Sequence, residues 1–262
     1  LSRICPLFSG SSGNCTYLAN GEDSILIDAG VSCRSIVGAL KEIDAPVERI
    51  QAILVTHEHS DHVKGLKVLL KRYPIPVYGS RETLAYIAQN DLVPPQADLR
   101  VLEEKTEIAR MEITPFDTSH DAAHSLGFRI HMADDRLVGF ATDTGCITQD
   151  VDRGLSGCDV VVLESNYDKG MLQCGRYPYY LKRRITSNRG HLSNEDCAKQ
   201  IARLVKEKAT RFILAHLSQE NNLPDIAYQS SLSQLLLEQM RPEVDFTLDV
   251  ASRQQVSRMV TF

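Results

Sequence analysis

The chain has 262 residues, 43% of them apolar, with a net charge of −5. A chain of this size builds a substantial core, and an α/β fold of this length fits one domain over residues 1–262. The acidic balance excludes a protein that coats nucleic acid through uniform positive charge, and no apolar run reaches the ~18 residues of a membrane span.

The opening Leu1-Ser2-Arg3-Ile4 lacks the apolar stretch of a secretory signal. Ser24 to Asp28 reads as a strand that stops at Ala29-Gly30. Ile36, Leu40 and Ile43 recur at near-helical spacing before Pro46, and Gln51 to Thr56 is an apolar strand. Val63, Leu66, Leu69, Leu70 and Tyr73 mark one face of a helix that ends at Pro74. Val77-Tyr78 is a short strand before a helix over Arg81 to Asn90. Phe128, Ile130 and Met132 alternate with Arg129 and His131, and Asp134-Asp135 turns this strand into Leu137 to Thr142. Val160 to Leu163 is a buried strand, and Ser193-Asn194-Glu195-Asp196 has the S-x-x-D form that opens a helix. Arg211 to Ala215 is a strand, a helix follows around Asp225 to Met240, and the close is β-like from Val244 to Val250. Helices and strands mix in both halves, which predicts two packed sheets covered by helices.

The seven cysteines are scattered, with no C-x-x-C pair, as expected of reduced, mostly buried thiols in a cytoplasmic protein. Charge is uneven. Residues 176 to 190 hold Arg176, Lys182, Arg183, Arg184 and Arg189, no acid, and Tyr177, Tyr179 and Tyr180 between them. Such a stretch is either a solvated loop or a surface for phosphates and unstacked bases.

Thr56-His57-Glu58-His59-Ser60-Asp61-His62 carries three imidazoles and a carboxylate directly after the apolar run Ile53-Leu54-Val55. Packing gives no reason for that density. Clustered imidazoles repel if protonated and leave unsatisfied nitrogens if buried neutral, whereas a divalent cation takes up their lone pairs. His57 and His59 can reach one metal from an extended loop, and Asp61 and His62, at the turn into a helix, point to a second position. Further donors stand at other strand ends: His120 in Thr118-Ser119-His120, Asp143 in Thr142-Asp143-Thr144-Gly145, and His216 in Leu214-Ala215-His216. A carboxylate such as Asp143 can bridge a two-metal clamp. His124 and His131 lie in a polar loop and on an outward strand face, and are read as structural or surface residues. The donor set admits Zn, Mn or Fe.

Together, H-x-H-x-D-H, His120, the T-D-T-G Asp143 and His216 resemble the metallo-β-lactamase superfamily. The resemblance implies an αββα sandwich with two divalent metals per chain. His57, His59 and His120 would bind one metal, Asp61, His62 and His216 the other, and Asp143 would bridge them. Asp28 would orient the ligand loop. Asp143 in place of Cys resembles the phosphodiesterase branch, in which a Glu and a His beyond the ligands transfer protons; Glu164 and His191 fall there. The opening Phe8-Ser9-Gly10-Ser11-Ser12-Gly13-Asn14, with S-H-D-A at Ser119, R-G-H-L-S-N at Arg189 and A-H-L-S-Q-E-N-N at Ala215, is similar to the YycJ/WalJ family of 5′→3′ DNA exonucleases.

Phosphodiester hydrolysis needs a nucleophile, charge neutralisation at phosphorus and a proton for the leaving oxygen. Two metals bridging a hydroxide would supply the first two, and His191, its tautomer held by Glu164, the third. Ser11, Ser12 and Asn14 would offer donors to a phosphate or form a plain Gly-Ser turn. Arg183, Arg184 and Arg189 flank His191 and would position a nucleic-acid backbone. The expectation is a metal-dependent nuclease, DNA favoured as substrate, with no membrane association and with oligomerisation left open. The alternatives are hydrolysis of a small or cyclic-nucleotide phosphodiester, and a non-catalytic regulatory protein with a structural metal site.

Overall fold

Period-two alternation sorts the central strands between two faces. In the strand Val160–Glu164, Val160 and Val162 join one core while Val161 and Leu163 join another; in Arg211–Ala215, Ile213 and Ala215 face the first core, Phe212 and Leu214 the second. A strand that is apolar on both faces needs cover on both, and this is met by two sheets packed face to face with helices outside.

The computed structural model describes residues 1–262. The first sheet holds β1 (Ser2–Phe8), β2 (Cys15–Asn20), β3 (Asp23–Ile27), β4 (Ile50–Leu54), β5 (Val77–Gly79) and β6 (Leu99–Val101). The second holds β7 (Thr106–Ile108), β8 (Met111–Asp117), β9 (Leu126–His131), β10 (Leu137–Ala141), β11 (Val160–Glu164), β12 (Arg211–Ala215) and β13 (Thr247–Val250). β14 (Val260–Thr261) returns to pair with β1, so the sheets run β14-β1-β2-β3-β4-β5-β6 and β13-β12-β11-β10-β9-β8-β7. Each is antiparallel at one side and parallel at the other: β3 to β6 and β10 to β13 are the parallel runs.

Between the sheets lie Leu18, Ile25, Ile27 and Leu54 from one and Phe128, Ile130, Phe140 and Val162 from the other. Outside the first sheet, α1 (Cys33–Glu42), α3 (Leu66–Arg72) and α4 (Arg81–Gln89) bury Ile36, Leu40, Leu69, Leu84 and Ile87 against Tyr17, Leu26 and Ile53. A single-turn helix, α2 (Ser60–Val63), precedes α3. Outside the second sheet, α5 (Gln149–Leu155), α8 (Asn194–Lys206) and α9 (Pro224–Leu237) cover Val161, Leu163, Phe212 and Leu214. The order of layers is therefore αββα. Two short helices, α6 (Lys169–Cys174) and α7 (Tyr179–Ile185), stand apart on a cluster of their own, Tyr167, Leu172 and Ile185.

Three expectations are corrected. The helix expected over Val63 to Tyr73 is broken between Val63 and Leu66. Gly65 lies against the loop after β3; its N–H donates to Ala29 O at 2.9 Å, and a Cβ there would sit 2.0 Å from Val31 O. The basic stretch 176–190 is not all loop, because α7 forms within it. Leu181 and Ile185, four residues apart, turn inward onto Tyr167 and Leu172. The last strand before the C-terminus begins at Thr247 rather than Val244, since Arg241 to Asp245 close a turn in which both the Arg241 N–H and its guanidinium donate to Asp245. β1, β2, β14, β6 and β7 and helices α5 and α6 carry too little periodicity to be read in advance. In β2, Cys15-Thr16-Tyr17-Leu18-Ala19-Asn20 is buried throughout and so shows no polar alternation.

Candidate metal centre

The donor side chains stand at or just beyond the carboxyl ends of strands from both sheets: Asp28 after β3, His57 to His62 after β4, His120 after β8, Asp143 after β10, Glu164 closing β11 and His216 after β12. Three of these turn sharply, with Asp28, Asp143 and His216 at φ 63°, 55° and 55°. Left-handed backbone at a non-glycine residue costs ~1–3 kcal/mol and concentrates where function demands a direction. Here the kink aims Asp143 and His216 at the donor cluster and Asp28 at the Nδ1 of His62 behind it.

Ligand atoms of His57, His59 and His120 lie within 4.8 Å of one another. His120 Nδ1 donates to Gly190 O at 2.9 Å, which leaves its Nε2 lone pair free, 3.3 Å from His59 Nδ1. A second group is Asp61, His62 and His216. His62 Nδ1 is held by Asp28 Oδ2 at 2.7 Å, so its Nε2 faces Asp61 Oδ2 at 3.5 Å and Asp143 Oδ2 at 3.3 Å. His216 Nε2 is 3.5 Å from Asp61 Oδ2 and 3.6 Å from Asp143 Oδ1. Asp143 lies between the groups, with its Oδ1 also 3.6 Å from His120 Nε2.

A divalent cation fits this donor set. His57 Nε2 and Asp143 Oδ2 are buried without a hydrogen-bond partner, and a buried polar atom left unpaired costs ~1–3 kcal/mol. Burial, aided by His62, holds His57 well below its ordinary pKa, so its ring is neutral. Burial pushes the Asp143 carboxyl up, but His216 and His62 outweigh it and hold the group ionised. Neutral imidazole and ionised carboxylate are the forms that ligate; His62 and His216 are raised instead, burial being outweighed by Asp28 and Asp143 at His62 and by Asp143, Asp61 and Glu164 at His216, and a bound cation would displace those protons.

Glu164 and His191 adjoin this cluster. Glu164 is fully buried; its Oε2 accepts from the Thr144 and Leu192 N–H groups at 3.0 and 3.1 Å, and its Oε1 meets His191 Nδ1 at 2.8 Å and His216 Nδ1 at 2.9 Å. Burial acts to raise Glu164, but His191 and His216 outweigh it and hold the carboxyl at about 2. The same contact works in reverse on His191: burial lowers it, Glu164 outweighs burial, and its pKa is raised. His191 keeps 20% of its side chain exposed, so it opens onto the cleft.

The residues considered for substrate divide. Ser11 and Ser12 are exposed on the loop beside α2. Asn14 is buried among the donors, with Nδ2 3.1 Å from His62 Nε2 and 3.4 Å from Asp61 Oδ2, and Oδ1 accepting from Gly10 N. Arg184 pairs twice with Asp121, and Arg189 donates to His120 O at 3.1 Å, so both brace the His120 loop. Arg183 is exposed and stacks over Tyr179. His124 is a surface clip between Glu82 and Asp117, and His131 is exposed near Asp135.

Sequence reasoning missed Thr56, Glu58 and Ser9. Thr56 Oγ1 touches both Asp28 oxygens and lies 3.1 Å from His57 Nδ1 and His62 Nδ1, Glu58 accepts from Ala123 N at 2.7 Å, and Ser9 Oγ accepts from His216 N at 2.8 Å. Thr56 and Glu58 sit inside the His57 motif and Ser9 inside the opening one, but nothing local ties Ser9 to His216, 207 residues away.

Residues 23–217 match the family model described as Beta-lactamase superfamily domain. Over 235 residues, 88% of this chain and 88% of the other, the sequence is 37% identical to Exodeoxyribonuclease YycJ of Bacillus anthracis. The chain belongs to the metallo-β-lactamase superfamily, and within it to the YycJ/WalJ family. A second member of the YycJ/WalJ family, Exodeoxyribonuclease WalJ of Streptococcus pneumoniae, is 35% identical over 246 residues, 92% of this chain and 90% of its own. The fold of this YycJ/WalJ member is shared with the metallo-beta-lactamase fold protein YhfI of Bacillus subtilis, at TM-score 0.73 and 15% identity over 97% of this chain and 98% of the other. No helix is long and apolar enough to cross a membrane.

Proposed function

We propose that this protein is a divalent-metal-dependent exodeoxyribonuclease that degrades DNA in the 5′→3′ direction in the cytoplasm, as one domain holding two metals. The observation that carries the reading is the Glu164–His191 pair standing beside a complete His/Asp donor set, in a chain 37% identical to an exodeoxyribonuclease. His57, His59 and His120 would hold one metal and Asp61, His62 and His216 the other, with Asp143 between. Zn, Mn or Fe suits these donors. Bound metals supply an activated water and neutralise charge at phosphorus.

The chain's own residues do the rest. Asp28 accepts a hydrogen bond from Nδ1–H of His62, and Gly190 O one from Nδ1–H of His120, which turns each Nε2 toward the cleft. Glu164 fixes the proton on Nδ1 of His191 and raises its pKa. The other ring nitrogen, when protonated, is the acid for the departing oxygen of the scissile phosphodiester. Asp61, held ionised by His216 and His62 against the opposing effect of burial, orients the attacking water. Ser11 and Ser12 at the rim and Arg183 on α7 are the exposed groups left to meet the substrate.

The test is incubation of metal-analysed protein with end-labelled single- and double-stranded DNA and RNA, and with a cyclic phosphodiester in parallel. Mononucleotide release from DNA, in order from the 5′ end, is expected. Cleavage of the cyclic compound alone would overturn the nuclease reading.

A further inference from the structure

A cavity of about 530 Å³ lies between α6 and α7, away from every donor residue named above. Its wall combines Tyr167, Leu172 and Tyr179 with Lys169, Lys182 and Arg183, and no carboxylate lines it. In a chain of net charge −5 this is an exceptional local balance. Lys169 is paired with Asp196 at 3.4 Å, but Lys182 donates only to a carbonyl, Gln173 O, and Arg183 forms no ion pair. Two cations are thus free for an anion. The Tyr179 ring is 75% exposed, with the Arg183 guanidinium 5.9 Å from its centroid and the rest of the ring in solvent. An exposed tyrosine propped by an arginine beside unpaired cations suits a base with its phosphates.

Helix α7, which walls the cavity, also abuts the metal centre: the His191 N–H donates to Ile185 O at 2.9 Å, and Arg184 pairs with Asp121 beside His120. A second cavity of about 680 Å³ shares Tyr167, Lys169 and Thr186 with the first, and runs on to Gly145, Asn188 and Leu192. Gly145 and Leu192 are chain neighbours of Asp143 and His191, which do not themselves line the cavity. In the second cavity the cations are already paired, Lys199 with Asp196 and Arg203 with Asp152 and Glu207, so the free positive charge is confined to the α6–α7 pocket.

We propose that the α6–α7 pocket is a subsite for an unpaired nucleotide of the DNA strand under degradation, with Tyr179 stacking on the base and Lys182 and Arg183 receiving its phosphates. This rests on the nuclease reading above and adds to it a substrate form: the strand must be single at the pocket, because a paired base keeps its faces stacked within the duplex. A phosphate-only groove would need the cations but not the ring.

The experiment uses the metal-loaded full chain and a 3′-fluorescein ten-residue oligothymidylate with phosphorothioate linkages, which resist cleavage. Binding is followed by anisotropy for wild type, Tyr179→Ala, Tyr179→Phe and Lys182→Ala, with a blunt duplex as a parallel arm. Tyr179 is a surface side chain, and thermal melts check that each variant folds. Tyr179→Ala and Lys182→Ala are expected to weaken single-strand binding at least tenfold, Tyr179→Phe less than threefold, and Tyr179→Ala to change duplex binding less than threefold. Wild-type affinity in Tyr179→Ala, equal loss on duplex and single strand, or no measurable binding by wild type would each overturn the subsite. Should wild type bind the oligothymidylate yet leave unmodified DNA uncut, the subsite stands and the nuclease reading falls.

Discussion

Glu164 Oε1 is shared by two imidazoles, His191 at 2.8 Å and His216 at 2.9 Å. One carboxylate oxygen thereby links a proposed metal ligand to the proposed acid, and the two roles separate by substitution. His191→Ala leaves every proposed ligand in place; turnover on DNA is expected to fall about 10²–10⁴-fold with metal content unchanged. Glu164→Gln keeps the shape but loses the charge that orients both rings, so metal affinity is expected to fall about 10–100-fold along with turnover. Metal analysis beside initial rates checks both, and a Glu164→Gln protein with full metal and impaired turnover would confine Glu164 to His191. The sequence made the His57-to-His62 run legible because its donors are neighbours in the chain. The shared oxygen was not legible, since His216 and Glu164 are separated by 52 residues and meet only because β11 and β12 are paired in a register that sets Glu164 beside Ala215.

Between elements, the ligand loop depends on a backbone-to-backbone contact that only glycine permits. A Cβ on Gly30 would lie 1.6 Å from Asp61 O, and the same loop supplies Ala29 N–H to His62 O at 2.8 Å. The turn after β3 and the start of α2 are thus fitted to each other, which places Asp61 and His62 against Asp28. Gly30→Ala has no flexible side chain to push aside and must move α2. A cost of about 3 kcal/mol is expected from such overpacking, or a fall in melting temperature of roughly 6–12 °C at this chain length. Gly38→Ala is the contrast. Its added methyl meets nothing within 4 Å, and alanine within α1 should stabilise by about 0.5–1 kcal/mol. Melting curves of the two variants decide it; a Gly30→Ala protein melting with wild type would remove the contact from the account. Local pattern exposed the strands and amphipathic helices that frame this contact, while α7 escaped because only Leu181 and Ile185 in it turn inward among three arginines and lysines and two tyrosines.

Across the whole molecule, the cleft is built from both halves, and His124 ties the halves together at its rim. His124 Nδ1 faces Glu82 on α4 at 3.1 Å, and Nε2 faces Asp117 at the end of β8 at 2.8 Å. Its backbone carbonyl accepts from Ser80 and Thr83 of the same helix region. Only the imidazolium can donate to both carboxylates at once, since a neutral ring has one N–H. Burial lowers the pKa of His124, but the Asp117 and Glu82 carboxylates outweigh it and the net shift is upward. A pKa raised on folding means that the folded chain holds the proton more tightly than the unfolded one. The resulting stability is fully present below the unfolded value of about 6.5, and is lost as pH rises through the raised folded value. His124→Gln cannot carry the charge, so wild type should exceed it in urea midpoint most clearly near pH 6, and the two should converge as pH rises toward about pH 9. The comparison between variant and wild type cancels groups that titrate elsewhere, the metal centre included. The side chain is 39% exposed, so solvent screens the pair and the offset at pH 6 should be small. An offset of the same size at pH 6 and pH 9 would mean that His124 joins the halves by shape and by its backbone carbonyl, with its charge contributing nothing.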